Sequence, residues 1–304
     1  VILPTSVLHI IARYNPKALA KLSYVIFGGE KANTKLCNEV LSSGASHVVN
    51  IYGPTEITFA CTYFELTHKL PEDANIPIGR AMTNSKVFVV DQNLQLLPPY
   101  IPGEIIVTGP KVASGYLTST GSSKFAPDTI SGSDSLLYRT GDIGMYDSEG
   151  LLYFVSRKDQ QVKIRGFRVE PEEVEQQIAQ HVQVNNSLVL VQQDASFDMG
   201  DDMAEKYLIA YYEGSCSPEE LREDLISKLP DFLVPRLIHH MEQLPLTDRG
   251  KIDRKKLPLL HYEQKTQDWT ETEGKIRELF EQLLGISVTD KNASFFTSGG
   301  NSLL

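Results

Sequence analysis

Asn50-Ile51-Tyr52-Gly53-Pro54-Thr55-Glu56 is the stretch on which the reading of the whole chain turns. Gly-Pro forces a tight turn after an apolar run. The groups around that turn suit a nucleotide: the Thr55 hydroxyl can bond a phosphate oxygen, the Glu56 carboxylate suits Mg2+, and the Tyr52 ring can cover a base. A surface turn after a strand accounts for the same residues when they are taken alone. What separates the two explanations is the order of motifs that follow.

Downstream stand Gly103-Glu104-Ile105-Ile106-Val107-Thr108-Gly109-Pro110 with Gly115-Tyr116-Leu117, then Tyr138-Arg139-Thr140-Gly141-Asp142. Next come Arg157-Lys158-Asp159-Gln160-Gln161-Val162-Lys163-Ile164-Arg165-Gly166, Leu229-Pro230-Asp231-Phe232-Leu233-Val234-Pro235 and Gly250-Lys251-Ile252-Asp253-Arg254. From Leu22 onward this ordered set resembles the second half of the adenylate-forming enzymes, and within them the amino-acid adenylation domains of nonribosomal peptide synthetases.

The resemblance implies ATP and Mg2+ as cofactors and assigns roles. Asp142 binds both ribose hydroxyls, a task for a carboxylate with acceptor sites to spare. Lys251 lies between the α-phosphate and the substrate carboxylate, where it neutralises developing charge. Thr55, Glu56 and Lys163 complete the catalytic set, with Glu56 as the metal ligand. Gly28, Gly29, Glu30, Asn50, Tyr52, Gly53, Phe154 and Arg157 line the nucleotide, with Ser156 standing where the family usually has Gly. Asp159 is the hinge about which a small domain swings between adenylate and thioester formation.

In the same alignment the substrate side chain meets Val25, Phe27, Ile51, Phe59 and Ala60. All five are apolar, so a small or modest uncharged amino acid is expected, because a charged side chain would lose hydration without a partner. The terminal Phe295-Phe296-Thr297-Ser298-Gly299-Gly300-Asn301-Ser302-Leu303-Leu304 is similar to the carrier-protein signature, whose serine, here Ser302, receives 4'-phosphopantetheine. Partners implied are an amino acid, a carrier domain in cis, neighbouring synthetase domains and a phosphopantetheinyl transferase. An acyl- or aryl-CoA ligase and an adenylating carboxylate reductase share most of these motifs. A catalytically incomplete carrier or scaffold piece is the reading from another class.

Composition bounds the rest. The chain has 304 residues, 29 Lys+Arg against 39 Asp+Glu and a net charge of −10, which argues against nonspecific nucleic-acid binding. No apolar run reaches the roughly 20 residues of a membrane span. Three cysteines, Cys37, Cys61 and Cys216, without a C-x-x-C make neither a disulfide framework nor a thiolate zinc site, so a reducing cytosol is the expected setting. His239-His240 lacks the Asp-Gly continuation of a condensation motif and reads as core or surface.

The expected architecture is α/β and α+β multidomain. Residues 1–158 read as the C-terminal part of a large core with a β-rich subdomain, and 159–258 as a complete small α+β lid domain. Residues 259–268 read as a linker and 269–304 as the first part of a helical carrier bundle. Strands are expected at Leu22 to Phe27, Val87 to Val90, Glu104 to Thr108, Leu151 to Val155, Leu188 to Val191 and Tyr207 to Tyr212. Helices are expected at Asn33 to Leu41, from Pro171, from the capping box at Ser217 and through Ile276 to Leu284. Both chain ends fall inside a pattern, so a fragment is expected.

Overall fold

The computed structural model describes residues 1–117, 122–132, 135–159, 161–164, 167–193, 206–248, 250–260, 269–284 and 288. The chain forms two compact units, Val1–Gln160 and Gln161–Leu304.

In the first unit β1 (Ile2–Pro4), α1 (Thr5–Tyr14), β2 (Tyr24–Gly28), α2 (Thr34–Ser42) and β3 (His47–Tyr52) alternate. The three strands pair in parallel, as helical crossovers require. β4 (Thr62–Leu66) returns antiparallel to β3, and β5 (Arg80–Ala81) closes the edge. Asn33 caps α2, its side chain accepting from Leu36 N at 3.1 Å. α1 has neither a side-chain cap nor an acid in its first turn, so the usual start signals are missing from the sequence there.

The second sheet joins β6 (Lys86–Val90), β7 (Gly103–Thr108), β8 (Phe125–Pro127), β9 (Leu136–Tyr146) and β10 (Leu152–Arg157). Its order is β10-β9-β7-β6, with β8 beside β9. Its core holds Val87, Val89, Ile105, Val107, Tyr138 and Leu152 together with Ile57 and Cys61. Those last two residues follow the Gly-Pro-Thr-Glu turn, so the turn is anchored by burial on the second sheet. Between Phe154 and Ser156 the ladder slips by one residue, a bulge that places Arg157 directly opposite Asp142.

The second unit contains β11 (Val162–Ile164), β12 (Phe167–Val169), α3 (Pro171–Ala179), β13 (Val184–Gln193), β14 (Lys206–Gly214), α4 (Pro218–Lys228), β15 (Leu237–His240) and α5 (Glu271–Leu284). β14 pairs antiparallel with β13 and parallel with β15. Leu208, Ala210 and Tyr212 face a core with Val174, Ile178, Leu221 and Leu225 of the helices; Tyr207, Ile209 and Tyr211 face a second core with Leu244 and Leu257. Both sides of β14 are therefore buried, which explains its continuous apolar reading. The capping box forms at α4: Ser217 Oγ accepts from Glu220 N and Glu220 Oε2 accepts from Ser217 N. Arg165, Gly166, Arg249 and the stretch 295–304, including Ser302, lie outside the described residues. Among the described residues no helix is long and apolar enough to cross a membrane.

Burial pushes the thiols of Cys37 and Cys61 up to about 12. Below about pH 9 both are protonated whether the chain is folded or not; above it the unfolded chain loses the protons first, so stability falls as pH rises toward 12. Three pKa units correspond to on the order of 4 kcal/mol per thiol at the far end of that window. The urea midpoint of the wild type is expected to drop between pH 8 and pH 10, and Cys37→Ala with Cys61→Ala to flatten that slope. An equal slope in the variant removes this account.

Candidate functional site

Asp142 lies within β9 and its carboxylate is held from two sides. Oδ2 accepts from the Tyr52 hydroxyl at 2.5 Å, and Oδ1 is paired with Nη1 of Arg157. Arg157 stands there because of the bulge in β10. Its fork continues onto Asp159, Nε to Oδ1 at 2.6 Å and Nη2 to Oδ2 at 2.7 Å. Lys124 approaches Asp159 at 3.9 Å. Burial, and then the Asp142 charge, push the Tyr52 phenol well above its ordinary value, so it remains a neutral donor.

Gly141 is required beside this network. Its φ is +74°, and a Cβ there would sit 3.0 Å from Asp159 Oδ2 and 3.2 Å from Arg157 Nη2. Thr140 fixes the neighbouring backbone: its hydroxyl donates to Ile105 O at 2.8 Å and accepts from Asp142 N at 3.0 Å.

Thr55 and Glu56 open a single helical turn, Thr55–Ile57, behind Pro54. Thr55 is exposed, whereas Glu56 is only 7% exposed. Glu56 Oε1 accepts from the Tyr116 hydroxyl at 2.5 Å, and the Glu56 carbonyl accepts from Ala113 N at 2.8 Å. The loop leading to Gly115-Tyr116 thus clasps the Thr-Glu turn, a function for that motif that its residue types do not announce. Tyr116 packs edge-on against Phe125, which leans on Tyr138. One nearly buried carboxylate beside a hydroxyl fits Mg2+ that arrives with nucleotide phosphates, because this ion needs few protein ligands. Among the described residues no cluster of three or more His, Cys, Asp or Glu offers a self-sufficient metal cage.

Residues 1–117 match the AMP-binding enzyme family. The whole chain is similar to bacitracin synthase 1 of Bacillus licheniformis, 35% identical over 98% of this chain and 6% of that protein. It is likewise similar to surfactin synthase subunit 1 of Bacillus subtilis, 33% identical over 98% of this chain and 8% of that one. Among solved structures it resembles holo-PA1221, an NRPS protein containing adenylation and PCP domains, with TM-score 0.73, 29% identity, 99% of this chain and 50% of that chain covered. Residues 1–117 thus carry an AMP-binding enzyme match, and the chain as a whole is similar to nonribosomal peptide synthetases. It spans less than a tenth of the length of those two curated relatives and half of the solved one.

Set against that family, the other expected positions divide. In the parallel ladder Val25 pairs with Val48 and Phe27 with Asn50, while Ile26 pairs with Val49 and Gly28 with Ile51. Side chains alternate between faces along each strand. Val25 and Phe27, both 0% exposed, therefore lie on the face that α1 and α2 cover, not with Ile51. The face of Ile51 and Ala60 is shared instead by Ile26, Val49 and Met82. The five expected pocket residues do not share one face: the ladder sets Ile26 and Gly28, rather than Val25 and Phe27, on the side of Ile51, and Phe59 is 57% exposed. Gly28 is needed because a Cβ there would lie 2.3 Å from Ile51 O.

Gly29 has φ +101° and the Glu30 carbonyl accepts from Thr5 Oγ1 at 3.3 Å. A Cβ on Gly53 would lie 2.6 Å from Ala60 Cα. Asn50 is buried with its amide donating to Pro77 O at 2.9 Å, and Phe154 packs on the core of the second sheet. In the second unit Lys163 is exposed on β11 opposite Arg168 of β12. Lys251 follows Gly250 (φ +75°) at the tip of a turn closed by Thr247 N to Lys251 O at 2.7 Å. It is exposed, and among the described residues its ammonium has no ion-pair partner.

Proposed function

We propose that the protein activates an amino acid with MgATP and passes it to a phosphopantetheine thiol on Ser302. The observation that carries this reading is the Tyr52–Asp142–Arg157 network assembled at the family motifs. Oδ2 of Asp142 accepts from the Tyr52 hydroxyl and Oδ1 from Arg157 Nη1. A carboxylate has several acceptor sites that suit ribose hydroxyls, and the phenol and guanidinium hold this one in place before the nucleotide arrives.

In the first half-reaction a substrate carboxylate oxygen attacks the α-phosphorus, the new C–O–P linkage forms, and the α–β bridging bond breaks to release pyrophosphate. Glu56 would hold Mg2+ together with the phosphates, and the ion would supply partial neutralisation of their charge. The Thr55 hydroxyl donates to a phosphate oxygen and the Lys251 ammonium meets the charge that builds at the α-phosphate. In the second half-reaction the pantetheine arm on Ser302 would supply a thiol nucleophile that takes the acyl group as AMP leaves; Lys163 would serve this step, and Asp159 would be the hinge between the two.

The test is amino-acid-dependent exchange of labelled pyrophosphate into ATP by the protein as its cell makes it, with mass addition at Ser302 on incubation with coenzyme A and a phosphopantetheinyl transferase. Exchange with at least one amino acid supports the reading. Exchange driven only by aryl or fatty acids rejects it in favour of a ligase of another acid class.

A further inference from the structure

Lys111 stands at the edge of the apolar face described above. It follows Gly109-Pro110 in the loop after β7, and its backbone carbonyl accepts from Thr58 Oγ1 at 2.9 Å, which ties the loop to the turn that carries Ala60. Its half-buried ammonium reaches Ala60 O at 3.3 Å and stands 4.0 Å from Met82 Sδ. Ala60 and Met82 pack with Ile26, Val49 and Ile51. Among the described residues no carboxylate pairs with Lys111. Glu65, which β4 places on this same face opposite Val49, is held by His47 Nδ1 at 2.5 Å.

An ammonium has three protons to donate, and a single backbone carbonyl carries no charge to offset it. Half-buried beside apolar atoms, it is stabilised most by an anion that brings its own acceptor oxygens. A ligand lying on Ile26, Ile51 and Ala60 with a carboxylate reaching the Ala60 rim satisfies both surfaces: methylene groups cover the apolar wall and the acid meets the lysine.

We infer that Lys111 selects an acidic amino acid, its ammonium pairing with the substrate's side-chain carboxylate. The inference rests on the adenylation reading proposed above and replaces the uncharged class that the apolar lining by itself suggests.

The test is pyrophosphate exchange by the protein as its cell makes it across Glu, Asp, Gln, Leu and Phe. The α-carboxylate is common to all five, so the Glu-to-Gln contrast isolates the side-chain charge. Wild-type kcat/KM is expected to be highest for Asp or Glu. Lys111→Met is expected to lower that value by about 10- to 100-fold, as for loss of a charge-assisted hydrogen bond, with the KM for MgATP unchanged and Lys111→Arg restoring part of the loss. The wild-type panel decides without any variant: a preference for Leu, Phe or Gln overturns the inference and leaves adenylation standing. An equal loss on every substrate in Lys111→Met makes the lysine a structural clasp and also overturns it. No exchange with any amino acid, while another acid class is activated, removes both readings.

Discussion

Lys251→Ala is expected to lower amino-acid-dependent pyrophosphate exchange by about 10²- to 10³-fold, the range found when one charge-stabilising donor is removed from a reacting centre. The lysine sits at a turn tip, exposed and without an ion-pair partner among the described residues. Its removal leaves no buried group orphaned, and the melting temperature is expected to hold, as for an ordinary surface substitution. The loss should fall on kcat, with the KM for MgATP little changed, because the charge that Lys251 is proposed to meet develops only as the carboxylate attacks. Lys251→Arg is expected to rescue poorly: a planar guanidinium does not substitute for a compact ammonium beside one oxygen. Full exchange activity in Lys251→Ala would reject the assigned role.

In the first sheet β2 was legible as an apolar run ending at Gly28-Gly29, and β3 as the run before Gly53-Pro54, whereas the short β1, β4 and β5 were not. The faces of β2 and β3 were not legible either. β2 and β3 are parallel strands whose apolar residues fall on both faces, so no polar alternation marks which side is which. With a side-chain period of two, a shift of one residue exchanges the faces, so Val25 and Phe27 lie opposite the face of Ile51 while Ile26 and Gly28 share it. The long strand β9 was hidden by its polar middle, since Arg139, Thr140, Gly141 and Asp142 interrupt the apolar pattern within it. Motif order placed Asp142 and Arg157 near the nucleotide, but their pairing depends on a bulge between two strands and has no signature in either. Lys111 was invisible for a related reason: a loop lysine acquires meaning only from what the fold sets beside it.

Asp142→Ala tests the network itself, and it is expected to cost both stability and nucleotide binding. The substitution removes the acceptor of the Tyr52 hydroxyl and one of the two carboxylates that face Arg157. Asp142 is 6% exposed, so the guanidinium loses a partner in a site with little water to replace it. Removing one member of a buried pair costs about 3–5 kcal/mol when nothing compensates. Asp159 remains on the other edge of the Arg157 fork and is itself partly exposed, so the lower end of that range is expected from urea unfolding. Tyr52→Phe removes only the phenolic donor and should cost nearer 1–2 kcal/mol, leaving the Arg157 pair intact. If Asp142 also holds the ribose, Asp142→Ala should weaken ATP binding by at least about 100-fold, the loss of two hydrogen bonds to a charged acceptor. Tyr52→Phe should weaken it by about tenfold or less. The two effects separate with Asp142→Asn, which keeps the side chain's shape and one acceptor oxygen while removing the charge. Equal ATP affinity in the wild type and all three variants, in calorimetry on folded protein, would confine Asp142 to holding the sheets together and take the nucleotide role from it.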